Sequence, residues 1–389
     1  MSRDASPRTP SALRPMRAAI GVAFIAFVLL GAVDASLGVA WPSISDAFGR
    51  SISDLGILIF AGGVGYLTAA AAFGRLHDRF GTGTLLVAGA SLSVVGLAGL
   101  AGAPGWWAVA IAPLFIGLGG GLVDTGMNAH AALAFDARAM NLLHGCFGVG
   151  ATLGPIIITA SLTVSGEWRA GYGVLMFAQI AVAGALWLMR RRWVAGSNAD
   201  LAEVQSRRRR RSALLIAIFF LYAGVEFGTG YWAFTLLTEA RGIATAVAGG
   251  WVAAFWAGLT IGRFGAGAVG NRIRPASMLV GGSVLSLFGL GWLWLDPGGI
   301  GVVGLPIAGL GLAPIFPTLV SVTPHRLGQD RSTHAIGYQL SAATIGGTIL
   351  PWVTGVIAEA RGLDVLAWCL FALALLLTLV IMINEREAR

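Results

Sequence analysis

Long apolar runs dominate this chain, and polar residues fall mainly in short breaks between them. A hydrocarbon core about 30 Å thick is crossed by ~20 helical residues. Twelve runs are long enough, near 17–40, 54–73, 84–101, 106–135, 139–164, 171–189, 212–238, 245–269, 275–295, 299–322, 333–357 and 363–383. Each is predicted to be a helix, because in lipid only a helix or a closed barrel satisfies its own backbone. The expected class is an all-α integral membrane protein with twelve transmembrane helices.

The runs divide into two similar sets. Gly74-Arg75-Leu76-His77-Asp78-Arg79-Phe80-Gly81, after the second run, returns 193 residues later as Gly267-Ala268-Val269-Gly270-Asn271-Arg272-Ile273-Arg274, after the eighth. Behind the two copies, Leu86, Val87, Gly89 and Ser93 match Leu279, Val280, Gly282 and Ser286. A duplicated hydrophobic half is a mark of transporters, and it predicts two pseudo-symmetric six-helix halves. The expected organisation is a disordered cytoplasmic tail at 1–15, a first half at 16–190, a basic cytoplasmic linker at 191–211, a second half at 212–384 and a short tail at 385–389.

Composition agrees: 56% of residues are apolar and 11% charged, with a mean hydropathy of +0.79. There is no lysine, so arginine alone carries the positive-inside signal. With both termini in the cytoplasm, only Arg50, Arg169, Arg241 and Arg361 fall in outer loops, leaving 22 of the 26 basic residues inside. The net charge of +8 therefore reads as topology, with Arg190–Arg192 and Arg207 to Arg211 near anionic lipid headgroups, and not as a nucleic-acid surface. The expected location is the cell (inner) membrane. Cys146 and Cys369 sit inside predicted helices and are read as buried, unpaired thiols.

The Gly-x-Leu-x-Asp-Arg-x-Gly pattern at 74–81 resembles the signature of the major facilitator superfamily, and both copies stand where that fold would put them. The resemblance implies a loop that helps hold the inside-closed state: Gly74 and Gly81 permit a tight reversal, and Asp78 and Arg79 form ion pairs. In the second copy Arg272 is kept but Asn271 replaces the acid, so a charge-dependent lock is expected to be stronger in the first half.

Acids within a membrane helix are costly and usually face a cavity or a partner. Three qualify: Asp34 in the first helix, Asp124 in the fourth and Glu226 in the seventh. Asp34 and Glu226 correspond at a shift of 192, whereas the mate of Asp124 is Phe316, in the proline-interrupted segment Pro314-Ile315-Phe316-Pro317. No arginine is assigned to a helix interior, so Asp124 is expected without a permanent cation partner and suits proton coupling. Asp34 and Glu226 are secondary candidates for that role.

At 1.5 Å per residue, Asp124 lies about 16 Å and Asn128 about 10 Å from the inner end of the fourth helix, and His144 about 8 Å from that of the fifth. His144 is therefore expected level with Asn128, as a gate residue more than a relay. Asp34, Asn128, Asn141, His144, Tyr222, Glu226, Trp232, Phe316, Tyr338 and Gln339 form the expected substrate site, for which aromatics beside carboxylates and amides suit a polar ring such as a sugar.

An acid in the first helix, an acid after Gly117 to Gly121 in the fourth, and Asn141-Leu142-Leu143-His144 opening the fifth resemble the fucose:proton symporter branch. That likeness implies that Asp34 contributes to sugar binding and Asp124 is the proton site. The expected function is proton-coupled symport of a sugar or similar polar solute by alternating access, in a monomer with no cofactor, metal or nucleic acid. The alternative is a proton-coupled drug or metabolite exporter, because Gly150, Gly154 and Pro155 resemble part of an antiporter motif. No nucleophile or metal constellation suggests an enzyme.

Overall fold

The structure is a computed structural model that describes residues 10–134, 137–193, 209–269, 272–327 and 329–387. Its helices are α1 (Pro10–Phe48), α2 (Leu55–Phe80), α3 (Thr82–Ala101), α4 (Trp106–Ala134), α5 (Ala137–Ser165), α6 (Trp168–Leu188), α7 (Arg209–Thr235), α8 (Thr245–Val269), α9 (Pro275–Leu295), α10 (Gly304–Leu312), α11 (Ile315–Leu327), α12 (Gln329–Arg361) and α13 (Val365–Arg386). Because α10 and α11 form one crossing broken at Pro314, twelve spans among the described residues are long and apolar enough to cross a membrane. Helix α1 begins at Pro10, within the segment expected as a tail. The expected tail at 1–9 and the middle of the linker, 194–208, lie outside the described residues.

Each half repeats the same packing. In the first, α1 lies on α5, α2 and α3 on α4, and α3 on α6; in the second, α7 lies on α12, α8 and α9 on α10, and α9 on α13. Lipid tails are as apolar as leucine, so helices associate through close contact of small residues. Gly150 and Gly154 of α5 rest against the Val28 and Ala32 backbone of α1, and Gly346 of α12 rests likewise on Phe220 of α7. Gly117 seats α4 on Gly62, and Gly309 seats α10 on Phe255. A Cβ at any of these positions would collide with the neighbouring backbone.

The halves meet through α1 with α7, α2 with α12, and α5 with α8. At the end distal to the termini they are pressed together. Gly38 abuts Gly230 and Tyr231, Gly56 takes the Trp352 ring, and Gly249 takes the Thr159 side chain. At the opposite end Asp78, Arg79 and Arg272 are exposed, and so is His144, two turns into α5. The bundle is thus sealed at one end and opens towards its termini.

Candidate functional site

The first-half cluster is built on α4. Gly121 lets the Tyr66 turn of α2 pack directly on α4, since a Cβ there would lie 2.7 Å from the Tyr66 carbonyl oxygen. That approach brings the Tyr66 hydroxyl to Asp124, where it donates to Oδ2 at 2.6 Å. Asn128, one turn along α4, donates from Nδ2 to the other oxygen, Oδ1, at 2.9 Å. Both carboxyl oxygens of Asp124 therefore hold a donor. His144 of α5 is within electrostatic reach of Asp124, its ring edge-on to Phe27 at 5.7 Å. Helix α5 starts at Ala137, which lifts His144 slightly above its expected depth. Asn128 itself bonds Asp124, so a histidine level with Asn128 joins the same cluster.

Asp34 of α1 is also within electrostatic reach of Asp124, Tyr66 and Tyr231. It is partly accessible and makes no side-chain hydrogen bond among the described residues. Tyr66 was not among the residues expected from the sequence. A lone tyrosine in an apolar run gives no signal of its own, and only the α2–α4 contact identifies it.

The second half corrects the expectation that no arginine enters a helix interior. Arg263 of α8 lies within the membrane span Thr245–Ala268 and so does not stand with the arginines of the inner loops. Its Nη2 lies 3.2 Å from Glu226 Oε1 and donates to the Tyr222 hydroxyl at 3.1 Å. Glu226 is 3% exposed, so this acid is neutralised by a partner on another helix and is not a second copy of Asp34. The signal was available: an arginine several residues before the end of an apolar run needs an acid. Phe316, just past the Pro314 break, packs edge-on to Phe219 at 5.3 Å and tilted over Tyr222 at 6.0 Å. Arg263 is also within electrostatic reach of His144, so the two clusters meet where α5 crosses α8.

Other expected site residues stand elsewhere. Trp232 is fully buried, its Nε1 donating to the Pro351 carbonyl at 2.8 Å and its ring against Gly355. Gln339 is buried and exchanges hydrogen bonds with Thr323 at 3.0 Å and 3.3 Å. Tyr338 is 65% exposed and has no ring or hydrogen-bond partner among the described residues. The side chain of Asn141 lies outside the described residues. In the loop motif Gly81 adopts φ 74°, closing the turn between α2 and α3. Asp78 is 84% exposed and among the described residues lies near His77, at 3.5 Å, while Arg79 lies over the Phe80 ring at 5.3 Å. The expected ion pairs across the loop are not made by the described residues, and Asn271 lies outside them.

The sequence matches the model of the Major Facilitator Superfamily over residues 23–351. The chain belongs to this superfamily. It is a multi-pass membrane transporter and not an enzyme. It is 26% identical to Bypass of stop codon protein 6 of Saccharomyces cerevisiae over 397 aligned positions, covering 90% of this chain and 79% of that one. It is 21% identical to the glucose/mannose transporter GlcP of Bacillus subtilis, covering 86% of each. Among solved structures, a bacterial homologue of the lysosomal transporter Spinster, inward-facing and occupied, superposes with a TM-score of 0.77 at 15% identity, covering 96% of this chain and 97% of that one. The transporter FucP in its outward conformation gives 0.63 at 17% identity, covering 94% and 98%. These likenesses establish the major facilitator fold.

Proposed function

We propose that the protein is a proton-coupled symporter for a sugar or similar polar solute, working by alternating access. The observation that carries this reading is that Asp34 and Asp124 lie within electrostatic reach of each other and that, among the described residues, no arginine pairs with either. Two negative charges within reach of each other at low dielectric repel strongly, and taking up one proton removes that repulsion. Asp124 is the proton site, with Tyr66 and Asn128 orienting its carboxyl group. Asp34 offers acceptors to sugar hydroxyls, while Tyr231 and Phe227 provide ring faces. His144 and Arg263 connect the state of Asp124 to the second half. The resemblance to GlcP, a glucose/mannose transporter, supports the substrate class.

In this reading the chain lies in the inner membrane as a monomer, with both termini in the cytoplasm, and the open end faces inward. Gly150 and Gly154, which suggested an exporter, have a packing role in seating α5 on α1. The deciding experiment is uptake into proteoliposomes of labelled D-glucose, D-mannose, D-xylose and L-fucose under an imposed inward proton gradient. Accumulation of one of them, lost in Asp124→Asn, is expected. No gradient-driven accumulation, together with an Asp124→Asn variant that behaves like wild type, sinks the proposal.

A further inference from the structure

Behind Asp34, on the side of the first half's own core, lies a small cavity between α1, α3, α4 and α6, with about 20 Å³ open to the centres of water molecules. Most of its wall is apolar, including Leu30, Ile116 and Val123. Three polar side chains break that wall: Asp34 from α1, Ser93 from α3 and Gln179 from α6. Ser93 and Gln179 are each only 7% exposed, and neither side chain makes a hydrogen bond among the described residues. A buried amide left without a partner is costly, and buried polar groups are normally satisfied by protein or by ordered water. Gly120 helps to make the room, since its missing side chain leaves space between α4 and Leu30 of α1.

We propose that this cavity is a built water site, in which one or two water molecules bridge the Asp34 carboxyl group to the Ser93 hydroxyl and the Gln179 amide. The space suffices, because a water needs roughly 10–15 Å³ of this measure and two to four polar partners. The chemistry fits as well: a carboxylate accepts, a hydroxyl does both, and an amide supplies two donors and an acceptor. The ionisable groups within electrostatic reach of Asp34 are Asp124, Tyr66 and Tyr231. None of them donates a hydrogen bond to it in this state, so the water site gives Asp34 its hydrogen-bond partners. Ser93 and Gln179 are accordingly positioning residues, which hold the water that holds Asp34. This deepens the proton-coupled reading and rests on it only for the consequence that Asp34 stays hydrated while substrate binds and leaves.

The test is independent of substrate. A cryo-electron microscopy map of the full chain, at a resolution that shows ordered waters elsewhere, is expected to show water density touching all three side chains. Infrared spectroscopy supplies the second readout, through the carboxyl band assigned to Asp34 by its loss in Asp34→Asn. Gln179→Met, nearly isosteric but without hydrogen-bonding groups, and Ser93→Ala are each expected to shift that band to higher frequency, as a carboxyl group losing a hydrogen bond does. Variants that merely disturb packing would lower thermal stability and leave the band in place. A dry cavity, a metal cation in place of water, or an unmoved band in both variants overturns the inference. Failure of proton-driven uptake, with the water present and the band shifted, counts against the proposed function alone.

Discussion

Replacing Arg263 by Met is expected to damage the protein far more than replacing Glu226 by Gln. The asymmetry follows from burial. The Glu226 side chain is 4% exposed and that of Arg263 is 20% exposed, at a separation of 3.2 Å. Arg263→Met strands a carboxylate where water barely reaches, and breaking a buried pair from one side costs about 3–5 kcal/mol. At 1.36 kcal/mol per power of ten, that is roughly two to nearly four powers of ten in the folding equilibrium. Glu226→Gln instead leaves a guanidinium that keeps the Tyr222 hydroxyl at 3.1 Å and is partly accessible, so its cost is expected at or below about 2 kcal/mol. In the double variant neither charge is left stranded, and the coupling energy of the cycle should approach the loss seen in Arg263→Met alone. The assay is the thermal unfolding midpoint of the four purified proteins in one detergent, with surviving monodisperse protein after heating as a second measure. If Arg263→Met is as stable as wild type, or the double variant is no better than Arg263→Met, the pair does not neutralise Glu226 and the reasoning fails.

Tyr66→Phe removes a 2.6 Å hydrogen bond to Asp124. A bond to a charged group is worth about 1.5–3 kcal/mol, so gradient-driven accumulation should fall markedly, though less than in Asp124→Asn. Equal activity of Tyr66→Phe and wild type in proteoliposomes contradicts this. Gly38→Val drives a side chain into Gly230 and Tyr231 and should hold the sealed end apart. Spin labels placed near Phe48 and Trp251 should report a longer distance than in the parent, and an unchanged distribution refutes the assignment of that seal. Trp232→Phe deletes the hydrogen bond to the Pro351 carbonyl and should lower stability by about 1 kcal/mol with little change in substrate affinity. A large loss of affinity at unchanged stability would return Trp232 to the binding site.

The gross fold was legible because membrane helices announce themselves locally. Lipid demands a run of ~20 apolar residues for each crossing, and that run can be read without knowing what lies beside it. The duplication around Gly74 and Gly267 was equally visible, as was the break of symmetry at Asp124 and Phe316. Trp232 and Gln339 misled for a related reason. Their residue types suit a binding site and a buried structural bond equally, and the direction of a side chain around its helix is not written in composition.

The sequence by itself determined the twelve crossings, the two halves and the presence of three acids in apolar helices. Tertiary structure alone decided the roles of those acids. Tyr66 meets Asp124 across 58 residues of chain, and Arg263 meets Glu226 across 37. Such partners depend on how far each helix is rotated and how closely its neighbour approaches. Those quantities are set by glycine contacts such as Gly121 on Tyr66 and Gly150 on Val28. Hydropathy fixes which segments enter the bilayer, and packing of small residues fixes which side chains find one another there. Asp34 and Glu226, equivalent in the repeat, therefore end in opposite electrostatic circumstances, one without a cation partner among the described residues and the other neutralised by Arg263.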